Sequence, residues 1–157
     1  NNDNIKTIHD KVNKFFPVLV KKAINKILKN SDKSIKQKKI SAYYPIRFPD
    51  DGVIFFDNYT ALEVYNKIRA LMDPYPNAFS YFKKQKIKII SCRMPKNNFY
   101  GEPGRVYKIL NDELLVCAKD KSLWIKLDKK ITRYKIKRYE RLATLTEAAM
   151  KFYENKK

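Results

Sequence analysis

The sequence predicts an α+β fold: a long N-terminal helix, a small antiparallel open β-barrel, and a terminal helix. Three observations indicate this fold class. An apolar stripe with helical spacing runs through residues 5–29, the hydrophobic period changes to that of strands beyond residue 78, and helical spacing returns over residues 144–155. The chain has 157 residues, 44% of them apolar, which is enough to bury the core of one domain.

The first helix is predicted from apolar residues spaced three and four apart. Asp3 or Asn4 can cap its start by accepting a hydrogen bond from a free backbone N–H. Pro17 lies inside the pattern and cannot donate a backbone hydrogen bond, so we expect a kink or two successive helices. A lone helix cannot bury such a stripe, so we expect a packing partner, much of which would lie outside this chain. The stripe consists of Ile5, Ile8, Val12, Phe15, Leu19, Ala23, Ile24 and Ile27.

A second helix is predicted over residues 61–72 from its start and stop signals. Thr60 and Glu63 have the spacing of a capping box, in which each residue bonds a free backbone N–H of the other. Pro74 ends the helical pattern. The short apolar run at residues 53–56, just before this helix, is predicted to be a strand.

Five short apolar or β-branched runs follow residue 78, with turn-forming residues between them. Such spacing is typical of a small antiparallel barrel, here of the open five-stranded, OB-like kind. Tyr75, Phe79 and Trp124 are expected in the core, and residues 144–155 are expected to form the terminal helix. The five predicted strands are 78–82, 87–94, 105–110, 114–118 and 123–127.

The chain is strongly basic, with 35 Lys and Arg against 16 Asp and Glu, a formal net charge of +19. Such a charge favours polyanions, including nucleic acids. Only 7 of the basic residues are Arg, the residue favoured where phosphate is held by two parallel hydrogen bonds. A general richness in Ile, Asn and Lys explains the charge as well, so we do not expect nucleic acid as the partner.

The remaining composition argues against several site types. Cys92 and Cys117 lack CxxC spacing and are predicted to be free buried thiols. The sequence has no apolar run long enough to span a membrane, no phosphate-binding glycine loop and no metal-ligand cluster. We therefore predict no membrane partner and no metal.

Several segments, taken in order, resemble the C-terminal region of formyltransferases. Residues 47–52 (RFPDDG) are similar to the Arg-x-Pro-(Glu/Asp)-Asp-Gly segment of these enzymes. Residues 73–81 (DPYPNAFSY) resemble their proline-flanked aromatic motif, and residues 101–106 (GEPGRV) resemble their Pro-Gly-x-Val strand entry. Residues 7–11 resemble the last helix of their Rossmann-like catalytic domain. The resemblance covers residues 4–127.

The Asp-Pro-Tyr-Pro form is similar to the sugar-modifying branch of the family rather than to the methionyl-tRNA branch. The resemblance implies N10-formyltetrahydrofolate as donor and a nucleotide-linked amino sugar as acceptor, in bacterial lipopolysaccharide or O-antigen sugar synthesis in the cytoplasm. It divides the chain into residues 1–40, the last helix of the catalytic domain and a linker; 41–130, the OB-like domain; and 131–157, a basic tail with the terminal helix. The barrel would brace the catalytic domain, form a homodimer contact or line the acceptor pocket.

The sequence departs from the family at the reacting residues. The family's chemistry uses an Asn-x-His pair and a downstream Asp in the N-terminal domain. The single histidine, His9, has Thr7 two positions before it and lies on the polar side of the predicted helix, so we expect it to face solvent. We therefore predict no catalytic residues in this chain, an inactive isolated chain, and a folate-binding catalytic domain upstream of Asn1.

Four residues are predicted to contact the substrate. Arg47 beside Asp50 can bind a nucleotide phosphate or base at the domain junction, although a salt bridge from Arg47 to Asp50 or Asp51 would equally fix the linker. Tyr44 and Tyr100 can stack on a base or take part in ordinary packing. Two other functions remain open: the C-terminal domain of methionyl-tRNA formyltransferase, and a stand-alone basic barrel that binds nucleic acid.

Overall fold

The structure is a computed structural model that describes residues 3–31, 33, 35, 36 and 42–146. A long helix and a 3₁₀ turn precede a second helix, five strands and a short third helix. These elements are α1 (Ile5–Leu28), the 3₁₀ turn (Pro49–Gly52), α2 (Ala61–Ala70), β1 (Ala78–Phe82), β2 (Gln85–Arg93), β3 (Val106–Leu110), β4 (Glu113–Cys117), β5 (Ser122–Leu127) and α3 (Ile131–Tyr134).

The five strands form one antiparallel sheet in the order β1-β2-β5-β4-β3, which confirms the predicted open antiparallel architecture. The register shifts in β2 between Ile89 and Ser91 and in β3 between Val106 and Lys108. Such irregularities increase the local twist and bend of a strand, which helps the sheet to curl.

The segment after α3 brings the two edges of the sheet together. The backbone carbonyl of Glu140 accepts a hydrogen bond from the N–H of Val106 in β3 at 2.9 Å, and the N–H of Ala143 donates to the carbonyl of Tyr81 in β1 at 2.8 Å. Leu142 is fully buried between these contacts. The curled sheet is therefore closed by this segment rather than by direct pairing of β1 with β3 among the described residues.

The hydrophobic core lies between the sheet and α2. The capping box forms as predicted, with the N–H of Glu63 donating to the Thr60 hydroxyl at 3.3 Å and the N–H of Thr60 donating to the Glu63 carboxylate at 2.8 Å. The face that α2 buries consists of Ala61, Val64 and Ile68. The larger core side chains are Ile54, Phe56, Phe82, Ile87, Ile89, Val106, Leu114, Val116, Leu123, Ile125, Leu127, Ile131, Tyr134, Ile136 and Leu142.

Several local predictions need correction. Helix α2 ends at Ala70, two residues before the predicted end. The strand predicted at residues 53–56 is reduced to one parallel bridge between Val53 and Phe79, because a turn that begins at Phe55 redirects the chain. Phe79 and Trp124 are buried as predicted, but Tyr75 is 43% exposed because it lies in the turn after α2.

Helix α1 is continuous through Pro17 and is capped by Asn4, whose side-chain oxygen accepts from the N–H of Thr7 at 3.0 Å. None of its residues is buried, and ten of its large apolar side chains are between 40% and 75% exposed. Its start touches the rest of the chain: the Asp3 carbonyl accepts from Arg69, and the His9 ring meets Tyr75 edge-on. The ten exposed side chains, called here the α1 apolar face, are Ile8, Val12, Phe15, Phe16, Val18, Leu19, Val20, Ile24, Ile27 and Leu28.

The predicted terminal helix falls largely outside the described residues. Leu145 and Thr146 are helical, and residues 147–157 are not described.

Candidate ligand-binding groove

A groove of about 900 Å³ opens where the start of α1 meets α2 and the segment before it. Its wall is built by the start of α1 and by several short stretches between residues 46 and 77. Its lining, called here the α2 groove, consists of Ile5, Ile46, Arg47, Phe48, Pro49, Asp51, Gly52, Tyr59, Lys67, Ala70, Leu71, Tyr75, Pro76 and Asn77.

Lys67 supplies a fixed cation to the α2 groove. It directly precedes the core residue Ile68 on α2, which places it half-buried at the margin of the core. Its ammonium donates to the carbonyl of Val53 at 2.8 Å and to the hydroxyl of Tyr59 at 3.2 Å, and lies 4.7 Å from the centre of the Tyr59 ring. These partners are neutral, and no ion pair between described residues includes Lys67, so its positive charge is not cancelled by a carboxylate in contact with it.

The 3₁₀ turn holds the backbone next to Arg47 in place at the groove. The Asp51 carboxylate accepts from the N–H of Phe48 at 2.8 Å, which holds the residue after Arg47 against the turn. Gly52 is buried, and a side-chain carbon added there would lie 3.4 Å from the carbonyl of Asn77. The turn therefore packs tightly on the loop after α2, and the two sides of the groove are held together.

The salt bridge considered for Arg47 is not formed. Among the described residues, Arg47 pairs with neither Asp50 nor Asp51. Arg47 and Lys67 thus both line the α2 groove, with Asp51 as the one carboxylate among its lining residues.

Aromatic rings provide the apolar part of the groove. Tyr75 is 43% exposed, and its ring meets that of His9 edge-on with 5.8 Å between centroids. Phe48 and Tyr59 also contribute to the wall. An apolar pocket with a few fixed polar groups suits a ligand that has a flat ring and an anionic group.

The structure brings only one of the four predicted substrate-binding residues into this groove. Arg47 lines it, whereas Tyr44, Asp50 and Tyr100 are exposed and absent from its described lining. Tyr100 lies in the loop before β3, next to Phe99, whose ring lies 4.8 Å from that of Tyr107 between centroids. Their role in substrate binding stays a prediction.

Sequence reasoning did not select Lys67, Tyr59 or Tyr75 for the site. Lys67 carried a usable signal, since a cation next to a buried position on an amphipathic helix often lies at the margin of a packed surface. Tyr75 was assigned to the core because prolines flank it, and its exposure depends on how the turn after α2 faces α1.

The remaining candidate reactive groups are ill-suited to chemistry. Cys92 and Cys117 are free thiols, as predicted, although only Cys117 is fully buried and Cys92 is half-buried. Burial raises their pKa values to about 12 and about 11. They are therefore protonated and unreactive near neutral pH. His9 is exposed, as expected.

Metal-binding clusters and membrane-spanning helices are absent from the described part of the chain. It contains no group of three His, Cys, Asp or Glu side chains arranged to hold a metal ion. It also contains no helix long and apolar enough to cross a membrane.

Comparison with known proteins shows the family to which this fold belongs. Residues 48–140 match the family described as formyl transferase, C-terminal domain. The chain is 36% identical over 114 residues to the bifunctional polymyxin resistance protein ArnA of Wigglesworthia glossinidia brevipalpis, covering 73% of this chain and 16% of ArnA. It is 27% identical over 121 residues to methionyl-tRNA formyltransferase of Staphylococcus aureus (strain Newman), covering 76% of this chain and 38% of that enzyme.

A solved structure supports the fold assignment. A crystal structure of a HypX variant from Aquifex aeolicus aligns with 78% of this chain and 22% of its own, with a TM-score of 0.57 and 18% identity. The chain thus spans well under half the length of each of these three proteins. Because the family match covers more than half of its residues, the chain belongs to the formyltransferase C-terminal domain family.

Proposed function

We propose that this chain is the C-terminal part of an enzyme that transfers a formyl group from N10-formyltetrahydrofolate to the amine of a nucleotide-linked amino sugar. In this proposal the reaction takes place in the bacterial cytoplasm, on a catalytic domain that also binds the folate. The present chain packs against that domain and lends a wall to the acceptor site.

The main support for a separate catalytic domain is the α1 apolar face. Ten large apolar side chains on one helix are 40–75% exposed, which is far more than the scattered apolar residues normal on a protein surface. The helix is well capped and continuous, so its exposure does not come from a weak helical sequence. A domain packed on this face would bury it in the way that the sequence pattern requires.

The acceptor class rests on two segments of the chain. Residues 47–52 and 73–81 resemble the sugar-modifying branch of the family, and in the structure both contribute to the α2 groove. A positively charged, aromatic-lined groove next to the α1 apolar face suits an acceptor that carries a nucleotide.

The proposal is tested by formyl transfer from N10-formyltetrahydrofolate. The protein is prepared together with the residues encoded upstream of Asn1 and offered nucleotide-linked 4-amino sugars or methionyl-tRNA. We expect mass spectrometry to show one formyl group added to an amino sugar, and no transfer by the 157-residue chain alone. Transfer by that chain alone, or transfer to methionyl-tRNA only, would contradict the proposal.

A second candidate function, the binding of tRNA or other nucleic acid, is favoured by the outer face of the sheet. Register places Ser91 opposite Lys126 and Arg93 opposite Trp124, on the same face as Lys88. The Arg93 guanidinium lies 4.8 Å from the centre of the Trp124 ring, although Glu113 pairs with it at 2.6 Å. Filter binding distinguishes the two functions: tight, steeply salt-dependent RNA binding would favour this candidate, and binding lost at about 150 mM salt would favour the sugar enzyme.

A further inference from the structure

We infer that the α2 groove holds the nucleoside diphosphate of the acceptor, with Arg47 and Lys67 on the phosphates and Tyr75 against the base. This inference rests on the proposed function and names the residues that would recognise its substrate. It assigns the groove to one ligand class rather than to anions in general.

The phosphate site follows from the two cations. The Lys67 ammonium has three N–H donors, and the carbonyl of Val53 and the hydroxyl of Tyr59 take two of them. The third is left for a ligand oxygen. Arg47, which also lines the groove, carries a planar guanidinium that suits two phosphate oxygens at once. A diphosphate offers more oxygens than a single phosphate to two cations that line one groove.

The base site follows from the exposed rings. Tyr75 offers a partly exposed ring whose position is supported by its edge contact with His9. A flat base can stack on such a ring because every base has a π-face. Asp51 would repel a phosphate, but its carboxylate can accept hydrogen bonds from ribose hydroxyls, which places the ribose nearest to Asp51.

The position of the groove explains why the sugar would reach the catalytic domain. Ile5, at the start of α1, forms part of the groove wall, and the α1 apolar face begins at Ile8 on the same helix. A nucleotide bound in the groove is therefore held where this chain meets the proposed catalytic domain. The amino sugar beyond the second phosphate then points across that junction.

Isothermal titration of the 157-residue chain with UDP, dTDP, uridine and inorganic pyrophosphate tests the inference. We expect a nucleoside diphosphate to bind more tightly than uridine or pyrophosphate alone, because both parts of the groove are then used. Arg47→Ala should weaken that binding by about 10- to 100-fold, the range expected for lost hydrogen bonds to a charged group.

Arg133→Ala is the matched control. Arg133 is exposed on α3, outside the groove lining, and its replacement removes the same single charge. Equal weakening by Arg47→Ala and Arg133→Ala would show only general attraction of a basic chain for anions, and would overturn the inference. Tyr75→Leu should weaken UDP or dTDP binding severalfold and leave pyrophosphate binding unchanged, and equal effects on both ligands would contradict the stacking role.

The outcomes separate this inference from the proposed function. If the longer protein formylates a nucleotide sugar and Arg47→Ala leaves its KM unchanged, the groove assignment fails and the function stands. If UDP or dTDP binds as described but no sugar is formylated, the function fails and the groove assignment stands. The groove assignment is also overturned if neither nucleotide binds the unmodified chain. It is overturned too if RNA displaces the bound nucleotide equally well from the unmodified chain and from Arg47→Ala, because the binding would then not depend on Arg47.

Discussion

The same substitution should destabilise this chain strongly in the core and hardly at all on α1. Ile125 is fully buried in β5, between Cys92 of β2 and Leu114 of β4. Ile125→Ala removes three side-chain carbons at about 0.8 kcal/mol each. The cavity left behind adds to this, so we expect the free energy of unfolding to fall by about 3–4 kcal/mol.

Ile24→Ala removes the same three carbons from the α1 apolar face. Ile24 is 50% exposed and α1 has no buried residues, so no cavity forms. Alanine is also the better helix former, which offsets the small loss of contact within the helix. We therefore expect the free energy of unfolding to change by no more than about 0.5 kcal/mol.

Urea unfolding of both variants and of the unmodified 157-residue chain measures the difference in the free energy of unfolding. The slope of that free energy against urea concentration should be the same in all three chains. The reasoning would be refuted if Ile24→Ala cost as much as Ile125→Ala, because α1 would then be packed in the isolated chain. The same substitution in the protein that carries the upstream residues should become costly at Ile24.

Three further predictions follow from local contacts. Thr60→Ala should lower the free energy of unfolding by about 1 kcal/mol, with Thr60→Ser nearly neutral, because only alanine loses the cap; urea unfolding measures both. The hydrogen bond from Lys83 lowers the pKa of Glu140 below its ordinary value of 4.5, so its contribution is full above that value and is lost as the pH falls through the folded pKa. Unfolding midpoints at successive pH values below about 5 should therefore fall less steeply for Glu140→Gln, and an unchanged slope would contradict this assignment. Cys92 and Cys117 should resist a thiol reagent at pH 8 until urea unfolds the chain, and fast labelling of the folded chain would contradict their burial.

Local patterns predicted the elements whose neighbours in sequence define them. The stripe of α1 and the cap of α2 are both visible within a few residues, and both form as expected. The strands were found because each is a short apolar run between turns. The segment at residues 53–56 has the same appearance, but the turn at Phe55 leaves only the bridge at Val53.

Long-range closure could not be seen in the sequence. Ile136 and Leu142 are buried, but they lie in a stretch whose many lysines and arginines make it look like a solvated tail. Its role depends on hydrogen bonds to Val106 and Tyr81, at opposite edges of the sheet. No local periodicity reports such pairing.

The groove was only partly predictable for a related reason. Arg47 stood out through its motif, and the structure places it in the lining. Lys67 and Tyr75 join it because α1, the 3₁₀ turn and α2 meet in space, although they are distant along the chain. Tyr44 and Tyr100 were chosen for their chemistry alone, and chemistry does not fix a position.

The central claim is that the α1 apolar face is a surface made to be covered by a catalytic domain. Hydroxyl-radical footprinting of Phe15, Phe16 and Leu19 compares the 157-residue chain with the protein that carries the upstream residues. The account predicts strong labelling of these side chains in the shorter chain, where they are 53–61% exposed, and protection in the longer protein. Equal labelling in both, or protection already in the shorter chain, would contradict it.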